Sequence, residues 1–152
     1  MSSRKTGLIV DLNNLYFGVQ AKFGPARRVQ MVEYVNHLKA TGHEILHKVA
    51  YTRQKPKDMI SFATMLRNEG WELHCGNTSW AIAMALRAAD MMPQIDAFVL
   101  GTNFDEAGRI LQWAKSAGKH TKCFAANIPK FFKQVAECVE IPESILEPAV
   151  TA

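Results

Sequence analysis

Leu8-Ile9-Val10-Asp11 is a short apolar run that stops on a carboxylate. Without polar alternation, such a run reads as a strand buried on both faces, as in a parallel sheet. A second run, Ala97-Phe98-Val99-Leu100, stops on Gly101 and reads as the clearest central strand. Helical and strand patterns alternate around these two. Residues 29–40 carry Met31, Val32, Val35 and Leu38 at helical spacing, and Gly42 stops that helix. Residues 44–51 read as a strand, 53–58 as a polar loop, 59–68 as a helix closed by Gly70, and 71–75 as a strand. Asn77-Thr78-Ser79 offers N-cap chemistry to an alanine-rich helix from 80 to 91. That helix is apolar nearly all round, so it is expected to be well buried. Beyond the strand over 95–101 come a helix over 105–117, a strand over 121–124, a helix over 129–136 and a strand over 138–141.

This alternation predicts an α/β fold, a doubly wound, Rossmann-like and mostly parallel sheet with helices on both faces. The domain is expected over residues 1–141, followed by a C-terminal tail over 142–152. Ligands of such sheets bind beyond the carboxyl ends of the strands, where strand order reverses. Here that place is around Asp11 and Gly101.

A chain of 152 residues, 48% apolar and 21% charged, can bury a core without disulfide or metal. No apolar run approaches the roughly 20 residues of a membrane span, and the first run is too short for a signal-peptide core. A cytoplasmic protein with no membrane partner is expected. Cys75, Cys123 and Cys138 form no C-x-x-C pair and read as buried free thiols. Histidines 37, 43, 47, 74 and 120 show no metal-ligand spacing. The formal charge of +4 permits attraction to RNA without demanding it.

Asp11 has two readings. It caps the element that follows, or it holds a divalent cation through a carboxylate oxygen. After the central strand, Gly101 relieves crowding where the chain leaves the sheet. Thr102 or Asn103 can cap the next helix, and Asp105 and Glu106 suit its positive end. The functional alternative is that one of these carboxylates faces Asp11. Tyr16, Phe17 and Phe104 either pack in the core or stack on splayed bases. Trp80 reads as packed. Arg53, Lys55 and Lys57 make the loop best charged to touch phosphate.

Residues 8–15 resemble the opening of NYN domains, PIN-like ribonuclease folds that include the bacterial LabA-like group. Asp11 and Asn14 match the family's D-x-x-N-L. Residues 99–119 resemble its L-x-S-G-D-x-D-F … G-K segment without a gap, ending at Gly118-Lys119. Asp96 matches an aspartate before that strand, and Ala136-Glu137 resembles the family's late A-D. The resemblance spans residues 8 to 141. It implies a ribonuclease whose carboxylates bind Mg²⁺ or Mn²⁺ to activate water against a phosphodiester.

The chain departs from that pattern where the metal would sit. Ala81 and Arg87 align with two helix aspartates, Phe104 with the first aspartate of the loop motif, and Glu106 with the second. Asp11 and Glu106 are the remaining aligned metal ligands. Arg87 is expected to point into the cleft near Asp11, standing in for the cation and holding phosphate through its forked donors. Asp90, one turn beyond Arg87, and Asp105, beside Glu106, are the residues that could rebuild a partial metal site.

Three functions follow. The missing carboxylates and basic balance favour a degenerate NYN domain that binds RNA, or another nucleic acid, without efficient cleavage and with no metal. Its binding residues would be Asn14, Tyr16, Arg53, Lys55, Lys57, Arg87, Thr102 and Asn103. The second is an active Mg²⁺- or Mn²⁺-dependent endoribonuclease using Asp11, Asp90, Asp105 and Glu106. The third is an interaction scaffold with a protein partner or a second copy of itself.

Overall fold

A computed structural model describes residues 3–55, 57, 59–76 and 80–147. Six strands make one sheet: β1 (Arg4–Asp11), β2 (His43–Thr52), β3 (Glu72–Cys75), β4 (Ala97–Gly101), β5 (His120–Ala125) and β6 (Glu137–Glu140). Their order is β3-β2-β1-β4-β5-β6, and every neighbouring pair is parallel. The chain therefore winds outward from β1 to one edge, returns to the centre, and winds to the other edge. The reversal falls between β1 and β4. Both strands are buried where they meet, as their unbroken apolar runs require.

Five α-helices cover the sheet: α1 (Leu12–Phe23), α2 (Met31–Ala40), α3 (Ile60–Asn68), α4 (Trp80–Met91) and α5 (Gly108–Ser116). Two glycines show which face α2 and α4 take. A Cβ on Gly101 would meet the Tyr34 hydroxyl of α2, whereas one on Gly7 would meet the Met91 sulfur of α4. Val10 pairs with Gly101 and so shares its face. Gly7, three residues from Val10, points to the opposite face. Helices α2 and α4 therefore lie on opposite sides of the sheet.

Several elements differ from their expected form. Helix α1 spans 12 residues that held only a loop-like Asn13-Asn14 and an internal Gly18 to the reader of the sequence. The helix expected over 105–117 begins as a 3₁₀ turn, Asp105–Ala107, before α5. Residues 130–134 form a 3₁₀ turn in place of an α-helix. The proposed cap Asn77-Thr78-Ser79 lies outside the described residues. Residues 142–147 fold back on the domain: Leu146 bridges Val29 antiparallel, and Ile145 and Leu146 are buried.

Helix α4 is buried on one side only. Met84, Ala88 and Met91, at i, i+4 and i+7, face the sheet, while Ile82 and Leu86 are 70% and 65% exposed. A helix layered on one face of a sheet has one inward stripe, whatever its composition. Leu86→Gln is therefore expected to change stability by no more than about 0.5 kcal/mol in urea unfolding. A loss above about 2 kcal/mol would contradict this placement.

No described helix is long and apolar enough to cross a membrane. The three cysteines are free. Cys123 is buried, and burial pushes its thiol well above the ordinary range; Cys75 and Cys138 are only partly covered.

Candidate functional site

At the switch point, Asp11 ends β1 and caps α1. The carboxylate is nearly buried, at 4% exposure. Asn14 donates its backbone N–H to Oδ1 at 3.3 Å and its side-chain amide to Oδ2 at 2.5 Å. The Thr102 hydroxyl, from just beyond β4, donates to Oδ2 at 3.4 Å. Asp11 thus satisfies one of the orphan donors at the start of α1 and ties β1 to the β4 exit. Thr102 in turn accepts from the Phe104 N–H at 3.2 Å, which shapes the loop toward α5.

The two asparagines after Asp11 work in opposite directions. Asn14 holds Asp11, while the Asn13 carbonyl accepts the Arg53 N–H at 2.8 Å and so fixes the loop after β2. On the other side, Asn103 donates its amide to the Ala126 carbonyl at 3.2 Å. Gly18 makes this close approach possible, because a Cβ there would lie 2.7 Å from that carbonyl oxygen. Asn13 and Gly18 were missed in the sequence; their signal is an Asn-Asn pair at a strand end followed by a glycine inside a helix.

The remaining acidic candidates do not join Asp11. Asp105 and Glu106 are exposed in the 3₁₀ turn before α5, and neither makes a hydrogen bond or ion pair among the described residues. The expectation that Arg87 points toward Asp11 is corrected. Its Nε donates to Glu72 Oε2 at 2.9 Å, at the start of the edge strand β3. The His74 ring also bonds that carboxylate, at 2.7 Å. Burial pushes the Glu72 carboxyl up, but the bonds from Arg87 and His74 more than offset it and hold it below its ordinary range.

Helix geometry gives the reason for Arg87. Trp80 opens α4 beside Tyr51, with ring centroids 5.0 Å apart, and Tyr51 is in register with Asp11. Arg87, seven residues on, lies about 10 Å further along the helix axis. Asp90 is about one turn beyond it, exposed and farther still from Asp11.

The family pattern implies a divalent cation, and the residues at the switch point do not fit one. Hard cations need several oxygen ligands with carboxylates among them. Asp11 is the one carboxylate bonded into the β1–β4 junction, and its oxygens already take three donors. No group of three or more His, Cys, Asp or Glu side chains able to hold a metal occurs among the described residues.

Beside the switch point, a groove of about 660 Å³ separates α1 from the start of α3. Tyr16 lines it and packs at 6.1 Å from the Phe62 ring. Burial, then the Glu147 carboxylate, pushes the Tyr16 phenol well above its ordinary range, with Arg28 opposing. Arg53, Lys55 and Lys57 are exposed at the neighbouring loop. Trp80 packs as expected, whereas Phe104 is 38% exposed.

A family model described as the NYN domain matches residues 5–141. A crystal structure of a protein of unknown function from Vibrio parahaemolyticus is similar in fold, with a TM-score of 0.82 at 16% identity over 95% of this chain and 97% of that one. No curated protein matches the chain. The strand order, with its reversal beside a capped Asp11, and the family match over nearly the full length agree: the chain belongs to the NYN domain family.

Proposed function

We propose that this NYN domain binds RNA near the carboxyl ends of its strands without cutting it efficiently, and without a resident metal. The observation that carries this reading is Asp11, whose carboxylate is consumed as a cap and cross-link with no second carboxylate bonded beside it. Hydrolysis of a phosphodiester by the metal route needs a cation to generate the nucleophile and stabilise the charge. Binding needs only cations and polar groups at the rim, which Arg53, Lys55 and Lys57 supply.

The test is incubation of labelled single-stranded RNA with Mn²⁺, Mg²⁺ or EDTA, beside an Asp11→Ala control. We expect intact RNA in all conditions and binding that weakens with salt at a log–log slope of about −2 to −3, as three or four phosphate contacts give. Asp11→Ala should lower stability by about 1–2 kcal/mol, since it removes a buried cap, and leave the RNA uncut as before. Metal-dependent cleavage lost in that control would establish an active nuclease with displaced carboxylates instead. Absence of RNA binding would favour the scaffold, a reading that the exposed apolar side of α4 supports.

A further inference from the structure

The groove between α1 and α3 combines features that a structural crevice does not need. Phe17 from α1 and Ile60 from α3 line it, and each is 65% exposed. Its polar lining is made of side-chain amides and one guanidinium, Arg28. None of the described lining residues carries a carboxylate. The side-chain amides of Gln20 and Gln54 have no partner among the described residues, so each offers a donor and an acceptor together. The exposed cations Arg53, Lys55 and Lys57 continue from the same loop as Gln54.

Each feature matches one part of an unpaired nucleotide. Aromatic faces stack on bases whatever their sequence. Amides read the hydrogen-bonding edges that pairing would otherwise hide. Cations without nearby carboxylates complement phosphate. The volume lies within the range of pockets that hold a drug-sized ligand, roughly 300–1,000 Å³. We propose that this groove takes an unpaired base of single-stranded RNA, stacked on Phe17, with the flanking phosphates on Arg28 and Arg53. The proposal rests on the RNA-binding reading above and places the base beside Asp11 instead of on it.

The test uses the full chain and fluorescein-labelled 12-nucleotide oligo(U) and oligo(A), with an RNA duplex of equal length as comparison, read by anisotropy across a salt series. Phe17→Ala should weaken single-strand binding about tenfold and leave the salt slope unchanged, as loss of one stacked base does. Phe17→Trp should bind at least as well as the parent. Arg53→Gln should weaken binding and make the slope shallower by about 0.7. Phe17 is largely solvent-facing, and a thermal melt of each variant confirms folding. If the parent binds RNA and Phe17→Ala binds it equally, the groove proposal is overturned while the RNA reading stands. Tighter binding of the duplex than of the single strands also overturns it. If the parent binds no RNA in any form, the broader reading fails and this one with it.

Discussion

Gly101→Ala is expected to lower stability by about 2–4 kcal/mol, a fall of about 10 °C in Tm for a domain of this size. The added Cβ would lie 2.5 Å from the Tyr34 hydroxyl and 3.0 Å from a Val10 methyl. Tyr34 has nowhere to go. It is wholly buried, its ring stacks on Phe124 at 4.4 Å, and its hydroxyl donates to the Phe124 carbonyl at 2.7 Å. Making room breaks that bond or shifts the ring, so overpacking and a lost buried hydrogen bond act together. A urea double-mutant cycle checks the mechanism. Tyr34→Phe alone should cost about 1 kcal/mol, and in its presence Gly101→Ala should cost much less, because the obstructing oxygen is gone. Purely additive losses would refute the clash.

The second large effect is a loss of stability in mild acid. His43 is 2% exposed at the amino end of β2, and its Nδ1 lies 2.8 Å from the Thr6 hydroxyl. That hydroxyl spends its proton on the Arg4 carbonyl at 2.9 Å, so the His43 Nδ1–H is the donor between them. Nε2 is buried with no partner. Burial lowers the His43 pKa from 6.5 to about 4, and Lys122, His120 and Arg4 lower it further against the opposing Glu137. His120 is lowered too, first by burial and then by Arg4, with Glu137 opposing and Lys122 adding.

Between pH 6.5 and 4 the unfolded chain takes up a proton that folded His43 refuses, so acid favours unfolding. Stability from this group is whole above about pH 7, falls as pH drops through 6.5, and levels off below 4. At about 1.4 kcal/mol per unit, the loss approaches about 3 kcal/mol. Glu72 and Glu140, both held below the ordinary carboxylate range, lose their contribution only at lower pH. Urea midpoints across pH 4–8 measure the curve. His43→Asn keeps a donor for Thr6 and should flatten it; an unchanged slope would show that another group is responsible.

The central strands were legible because burial on both faces writes an unbroken apolar run, and Asp11 and Gly101 mark where those runs end. The role of Gly101 was legible too, though not the Tyr34 hydroxyl that demands it, since that contact spans two distant segments. Helix α1 was obscured by Asn13, Asn14 and Gly18, each poor in a helix by propensity. Each is kept for a tertiary bond: the Arg53 N–H, the Asp11 carboxylate and the approach to Ala126. The misplacement of Arg87 has a different origin. Periodicity tells which side of a helix a residue takes, not how far along the sheet it lies, and Glu72 on the edge strand gave no sequence signal as its partner. The groove was illegible as a whole, because it is made by two helices whose approach no local pattern encodes.

The last described residues also bear on that groove. Glu147 donates its N–H to the Arg28 carbonyl at 2.8 Å, Gln30 donates to Ile145, and the Arg27 side chain reaches the Glu147 carbonyl from 120 positions away. This clasp joins the α1–α2 linker to residues 145–147 through a few bonds at the margin of the fold, outside every ladder of the parallel sheet. Such a unit can open by itself, at a free energy well below that of global unfolding. When it opens, Arg28 loses its anchored backbone while β1 and β4 stay paired. The rigidity of the groove's far end is therefore set by a local equilibrium between two chain segments remote in sequence, and not by the stability of the domain as a whole.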